Sequence, residues 1–367
     1  MADGARALFG PRVVAWAEDT SYGIQDRINR WRYKDTKPTT FWTAPTVPVA
    51  TPPAVADPVP EAVVGSDAGA TSARSVPFPP PTYQPPYAGV GAPGDGTWIS
   101  VGDAARPGDA PVMAKSVVHP DPKRGYAAVA VVAVDLDHAD VHLVAGTQEP
   151  ASDKVPADHR PGVIPTQDLA SLVAAFNGGF KAIHGHWGMM VGGDVFVAPR
   201  DIGCTVALNR DGSLKIRSWS KLKANESVMA AYRQTPPCLV EGGKINTVLE
   251  GGEYSKNWGA TVSGETVIRR SAIGIDRSER VLFYGLGEAV TAEALSRAMR
   301  AVGAENAAQL DVNYSFPRFL FYDRAPSEET PHVRESLIPG IKFTKNEYVG
   351  AAALRDFFYL TRRNTTS

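Results

Sequence analysis

From residue 126 onward the chain alternates short apolar runs with glycine-bearing polar turns, the pattern of paired strands. "YAAVAVVAVDL" (126–136) and "VHLVAGT" (141–147) are β-rich and separated only by "DHAD". "MMVGGDVFVAP", "CTVALNRDGSLKIRSW" and "CLVEGGKI" predict hairpins that turn at "VGGD", "NRDGS" and "EGGK". "SAIGIDRSERVLFYGLG" (271–287) predicts a further hairpin, turning at "DRSE". "VAAF" (173–176), "AAQLDV" and a segment of "EYVGAAALRDFFYLTRR" read as buried strands. Two stretches have helical character. "PTQDLASL" (165–172) starts with Pro, and "TAEALSRAMRAVGA" carries the stripe Leu295, Met299 and Val302 between an N-cap at Thr291 and a stop at Gly303. The expected class is α+β, an antiparallel-rich mixed sheet with helices packed on it.

Upstream the texture changes twice. Over residues 10–33, Val13, Ala17, Ile24, Ile28 and Trp31 recur at helical spacing, which predicts an amphipathic helix broken near Gly23. Both charge signs interrupt its face, so it suits docking to a partner protein better than lying on a membrane. Residues 44–97 are rich in Pro, Ala, Gly and Ser, show no period of 2 or 3.6, and read as a partly extended linker. The expected division is a helical segment over 1–43, a linker over 44–97 and one domain over 98–367.

Composition narrows the function classes. The 367 residues carry a formal charge of −1, without the clustered Lys and Arg of a nucleic-acid footprint. No apolar run approaches the roughly 18 residues needed to span a bilayer. The start "MADGARALFGPRVV" lacks the basic beginning and apolar centre of a signal peptide, so a tether, if the protein has one, is expected upstream. Cys204 and Cys238 are too few for a zinc site of their own, which leaves two buried thiols or one disulfide. Walker, dinucleotide-binding, His-Glu-x-x-His and Gly-x-Ser-x-Gly motifs are missing, and the sequence indicates no particular cofactor.

Four places hold candidate chemistry. "AAFNGGF" ends a strand in Asn177-Gly178-Gly179, where glycines permit positive φ and close approach of a ligand, or form an ordinary turn. "RRSAIGID" places Arg270 at a strand mouth, where a planar guanidinium can clamp a phosphate or be merely solvated, with Arg269 as its outward neighbour. In "LDVNYS", Asp311, Asn313 and Ser315 alternate, so they are expected to share one face. In "KAIHGHW", His184 and His186 are one residue apart; no third ligand lies near in sequence, so loop histidines lining or covering a pocket are expected and no metal.

The order of these elements resembles the phosphodiester glycosidase domain, the family of the lysosomal uncovering enzyme, in a bacterial envelope branch. The resemblance covers about residues 112–362 and rests on motifs between 173 and 315: "NGGF", a Gly-rich hairpin, Pro237 to Gly243, "RSAIGID", and the helix leading to "QLD". It implies Asn177, Arg270 and Asp311 as catalytic residues. Gly178 and Gly179 would shape the pocket floor, with Lys181, His184, His186, Asn313 and Ser315 binding substrate. Ser271 replaces the family's Thr, and Lys181 its second aromatic. The three glycines that follow the family's Asp are here Val312, Asn313 and Tyr314; the β-branched Val312 and the bulky Tyr314 resist the conformations glycine supplies and fill space.

The activity implied is hydrolysis of a glycosyl phosphodiester or a related cell-envelope glycan bond. Arg270 would hold the phosphate, Asp311 would face the anomeric carbon or water, and Asn177 would position the sugar. Glu241 and Asp276 are the candidates for a second carboxylate. The alternative is a catalytically lapsed domain that binds glycan or a partner protein at the envelope, with a periplasmic or other extracytoplasmic location in either case. The substitutions at 312–314 divide the two, because they also imply a pocket of altered shape or a closed one.

Overall fold

The computed structural model describes residues 40–42, 77–103, 106, 108–249, 255–260, 267–324 and 330–363. The helix expected over 10–33 and most of the expected linker lie outside them. The described chain is predominantly β, arranged in three sheets. The first has the order β1 (Ile99–Val101), β2 (Met113–Val118), β3 (Val129–Asp135), β14 (Val281–Val290), β13 (Ile268–Ile275), β15 (Asn306–Val312), β11 (Val240–Glu241), β12 (Lys244–Ile245). The second runs β17 (His332–Ser336), β16 (Phe319–Asp323), β5 (Leu172–Asn177), β18 (Phe357–Arg362), β4 (Ala139–Val144). The third runs β7 (Asp194–Val197), β6 (Met189–Val191), β10 (Met229–Thr235), β8 (Cys204–Asn209), β9 (Leu214–Ser218). Every ladder within these sheets is antiparallel, so the expected mixed sheet is corrected to antiparallel ones.

The predicted hairpins all form, over 189–197, 204–218 and 240–245, and the one expected over 271–287 extends to 268–290. β3 and β4 are close in sequence but leave for different sheets, β3 pairing with β2 and β14 and β4 with β18. Of the two expected helices, one is an α-helix of ten residues, α2 (Ala292–Ala301), after a single turn α1 (Trp219–Leu222). Thr291 caps α2 by accepting the Ala294 N–H, and Gly303 ends it at φ 100°. "TQDLAS" forms a 3-10 helix over Thr166–Ser171 instead. Its six residues bury none of their side chains, so nothing rewards a longer helix.

The main core lies between the sheets. Val132, Ile273 and Leu310 of the first sheet meet Phe176, Phe319 and Phe358 of the second and Val206 and Ile216 of the third. A second core fills the far face of the first sheet, where Leu295, Ala298 and Met299 of α2 pack on Val131, Ala272 and Phe283. Cys204, at the start of β8, and Cys238, between β10 and β11, are joined in a disulfide.

Residues 77–97, assigned by composition to the linker, are folded onto this second core. Phe78, Tyr83 and Trp98 pack against it, and the Tyr83 hydroxyl lies 3.0 Å from Ser116 Oγ. The buried His119 ring sits 2.9 Å from both carboxylate oxygens of Asp95. Proline and glycine give this stretch its linker-like composition, while its aromatic side chains supply the apolar area that holds it down. A chain that starts at residue 98 is therefore expected to lose about 10 °C or more in thermal midpoint. One that starts at residue 77 should keep the midpoint of the full chain; equal midpoints for the two truncations would show that residues 77–97 carry no stability.

Candidate functional site

Four strand ends converge with the middle of β13 where the first two sheets meet: the end of β5 at Asn177, the start of β16 after Arg318, the start of β18 after Asp356, the end of β15 at Asp311, and Ser271 within β13. Asn177 ties them together. Its amide donates to Gly178 O (3.0 Å) and Ser271 Oγ (2.9 Å). Its Oδ1 accepts from the Tyr284 hydroxyl (2.7 Å) and the Arg318 N–H (3.2 Å). An amide side chain offers two donors and two acceptor positions, and here all four are used within the protein. Asn177 therefore fixes the walls of the site.

The turn that follows is shaped by what lies behind it. Neither Gly178 nor Gly179 takes a positive φ, in contrast to the expectation from sequence. They are glycines because a Cβ at 178 would lie 2.0 Å from Asp356 Oδ2, and one at 179 would lie 2.6 Å from Arg233 Cζ. Arg233 Nε donates to Asp356 Oδ2 at 2.8 Å, and both side chains are fully buried. The same carboxylate accepts the Gly179 N–H at 2.8 Å, and the Arg233 guanidinium bonds the carbonyls of Phe180, Trp187 and Gln234.

Asp311 reaches the site through a β-bulge. Ala272 pairs with Gln309 and Arg270 with Val312, so Leu310 and Asp311 stand opposite the single residue Ser271. Strict alternation would have sent Asp311 to the helix-covered face with Ala307 and Gln309. The extra residue turns it into a cavity instead. There Asp311 Oδ2 lies 2.5 Å from Arg355 Nη1 and accepts from Asn313 Nδ2 at 2.6 Å. Burial raises the Asp311 carboxyl above its ordinary pKa, with Asp356 adding to the rise; Arg355, the Val312 amide and Asn313 pull it down.

The cavity holds about 490 Å³ and is lined by Asn177, Gly178, Gly179, Asp311, Phe316 and Arg318 on one side and by residues of 344–356 on the other. Two guanidiniums border it. Arg355 lies over the Phe316 ring at 4.4 Å, and Arg318 pairs with Glu347. The cavity is open despite the substitutions at 312–314, because those side chains pack elsewhere. A Cβ on Gly259 would lie 2.6 Å from Val312 Cγ2, and the Tyr314 ring faces the Arg269 guanidinium at 5.2 Å. Asn313 takes over the turn by accepting from the Ser315 and Phe316 amides at 2.9 and 2.7 Å. Asp311 and Asn313 thus meet side chain to side chain, as expected, while Ser315 is exposed.

Arg270 does not line this cavity. Alternation along β13 directs Ser271, Ile273 and Ile275 to the inter-sheet core and Arg270 with Ala272 to the other face. There it is fully buried and donates to the carbonyls of Trp258 (2.6 Å), Gly259 (2.7 Å) and Val290 (3.1 Å) and to Gln309 Oε1 (3.0 Å). Burial pushes its pKa down to about 9, which still leaves it charged near neutrality. Arg269, expected to point outward, is itself buried, donating to Tyr314 O and Glu288. Glu241 accepts from Ser218 and pairs with Lys221, and Asp276 caps its hairpin turn; neither lines the cavity.

Lys181, His184 and His186 lie in the loop after the glycine turn and do not line the cavity. His184 is exposed, yet feels Asp311; desolvation by the surrounding loop holds its pKa below the ordinary imidazole value, while Asp311 acts in the opposite sense. Among the described residues no three His, Cys, Asp or Glu side chains gather as a metal site would need. The residues missed by the sequence reading are Arg233, Arg318, Glu347, Arg355 and Asp356. A signal existed for the last two: a charged Arg-Asp pair set directly before the apolar run "FFYL". Gly178→Ala is expected to cost about 1–3 kcal/mol by forcing Asp356 off the turn. Urea unfolding would check it, and an unchanged midpoint would contradict this account of the turn.

A family model agrees with the sequence resemblance. The family model described as phosphodiester glycosidase matches residues 170–311, which include Asn177, Arg270 and Asp311 and stop short of Arg355. No curated protein matches the sequence. Among solved structures, the catalytic domain of zebrafish N-acetylglucosamine-1-phosphodiester alpha-N-acetylglucosaminidase, auto-inhibited by pro-peptide, is 13% identical over 72% of this chain and 88% of that one, with a TM-score of 0.44. A protein from Synechocystis is 11% identical over 68% of this chain and 62% of that one, with a TM-score of 0.43. Over residues 170–311 the chain is similar to the phosphodiester glycosidase family.

Proposed function

We propose that this protein hydrolyses a glycosyl phosphodiester in the cavity bordered by Asp311 and Arg355. The observation that carries the reading is the pairing of a buried carboxylate with a buried guanidinium at the wall of a cavity of about 490 Å³. That volume lies within the usual range for small-molecule sites. Arg355 and Arg318 are the cations placed to receive a phosphate, in the role the resemblance gave to Arg270. Planar guanidiniums suit that role because they bind two oxygens at once. The incoming phosphate takes Arg355 from Asp311. The released carboxyl then serves at the anomeric carbon or orients water, while the departing phosphate keeps its charge on the guanidiniums. Asn177, Gly178 and Gly179 act as scaffold, and His184 stands nearby in the exposed loop.

We place the reaction outside the cytoplasm, on a cell-envelope glycan. The support is the Cys204–Cys238 disulfide, a bond that persists in oxidising compartments. Among the described residues no helix is long and apolar enough to cross a membrane. A second reading, binding of a phosphorylated glycan without cleavage, is favoured by the engagement of Asp311 with both Arg355 and Asn313.

Two outcomes test the site. Asp311→Asn should lower kcat/KM on sugar-1-phosphodiesters by about 10²–10⁴-fold. Equal turnover by variant and wild type would remove Asp311 from the chemistry, and absence of turnover with intact binding would favour the second reading. The second outcome concerns pH. The folded-state pKa of Asp311 is raised, so its carboxyl takes up a proton at a higher pH than an unperturbed Asp. Protonation frees Arg355, and a bound anion raises the Asp311 pKa further. Affinity should therefore rise as pH falls toward the raised Asp311 pKa, by up to about tenfold per pH unit. Diethyl phosphate is a suitable calorimetric probe because its single charge does not titrate near neutrality. The dependence should flatten in Asp311→Asn, and an equal slope in both proteins would contradict the exchange.

A further inference from the structure

A run of four apolar residues, Ala351, Ala352, Ala353 and Leu354, lines the cavity together with Asp311, Arg318 and Arg355. Leu354 is 51% exposed, which is unusual for a leucine so close to a buried ion pair. Four consecutive apolar residues would normally turn into the core; here Ala353 packs against it while Ala352 and Leu354 are exposed, and the backbone of the run is pinned. The Ala353 N–H donates to Gly162 O at 2.7 Å, and its carbonyl accepts from Thr147 N at 2.9 Å. The Leu354 carbonyl accepts from the amides of Gln148 and Glu149 at 3.0 and 2.8 Å. The supporting loop approaches so closely that a Cβ at Gly146 would lie 2.3 Å from the Arg355 carbonyl carbon, and one at Gly162 would lie 2.7 Å from Ala353 O. The ribbon is thus a fixed surface that holds apolar side chains over the cavity.

A further exposed apolar side chain is linked to the ribbon through Glu149. Glu149, whose amide holds Leu354, accepts the Ala182 N–H on its carboxylate at 3.0 Å. Next to Ala182 stands Ile183, 71% exposed. Isolated exposed hydrophobics need no explanation, but a built ribbon leading from a phosphate-competent pair toward another apolar side chain does. We infer that Ala351–Leu354 forms a subsite for an apolar chain on the alcohol esterified to the phosphate. The substrate class is then a glycosyl ester of a lipid phosphate, in which sugar and phosphate occupy the charged end and the chain lies along the ribbon toward Ile183. The inference rests on the reading of the cavity as a phosphodiester site. It goes beyond that reading, which leaves the alcohol open.

Hydrolysis would release a free sugar and an alkyl phosphate, so alkyl phosphates probe the subsite without requiring turnover. Calorimetric titration of the full chain with methyl, octyl and geranyl phosphate, below their micellar concentrations, makes the test. An octyl chain that buries even two methylenes on the ribbon gains about tenfold in affinity over methyl phosphate. The ratio of chain-bearing to methyl affinity should fall several-fold in Leu354→Ser and again when Ile183→Ser is added. Tighter binding of octyl than geranyl phosphate would indicate a straight-chain lipid, and the reverse an isoprenoid one. Equal affinity for all three phosphates, or a ratio unchanged by Leu354→Ser, would overturn the inference. Chain-length preference without turnover of any sugar phosphodiester would sink the hydrolase reading and leave the subsite standing. Turnover indifferent to chain length would do the opposite.

Discussion

The buried ion pair between Arg233 and Asp356 is the constraint on which the site depends. Arg233 belongs to β10 of the third sheet and Asp356 directly precedes β18 of the second, so one contact at 2.8 Å joins the two sheets. The pair also occupies the space above Gly178 and Gly179 and binds the Gly179 amide, which determines the path of the turn after β5. Removing one partner of such a pair costs about 3–5 kcal/mol, because the other charge is left buried and unmatched. Its importance here is geometric. Asp356 is next in sequence to Arg355, so the pair that holds the turn also positions the guanidinium that meets Asp311.

The same arrangement explains how two similar arginines acquire different duties. Arg270 sits on the helix side of β13, and its donors are spent on main-chain carbonyls and Gln309. It holds the Trp258–Gly259 segment, against which Val312 packs. Arg355 instead borders open volume and is paired with the Asp311 carboxylate. The bulge at Leu310–Asp311 makes this division possible, since without it Asp311 would face the same side as Arg270. The substituted residues 312–314 then serve as supports: Val312 fills space beside Gly259, Asn313 builds the turn, and Tyr314 covers Arg269.

Much of this was legible in the chain itself. Glycine-bearing turns and period-2 alternation marked the hairpins, and Thr291 and Gly303 marked the ends of α2, because those signals are local. "NGG" and "QLD" marked two walls of the cavity. What escaped depends on contacts distant in sequence. The reason for Gly178 and Gly179 lies at Arg233 and Asp356, far along the chain. The face of Asp311 depends on a bulge that no residue near it announces. The linker-like composition of 77–97 concealed its packing, because the aromatic residues that anchor it are spread among prolines and glycines.

The central claim is that a phosphodiester binds at Arg355 in the cavity bordered by Asp311. A crystal structure of the Asp311→Asn protein soaked with an uncleaved sugar-1-phosphodiester tests it most directly. The account predicts phosphate oxygens within hydrogen-bond distance of the Arg355 guanidinium, with the sugar beside residue 311 and Arg270 unchanged among its carbonyls. Phosphate bound at Arg270, or outside the cavity with Arg355 undisturbed, would contradict it.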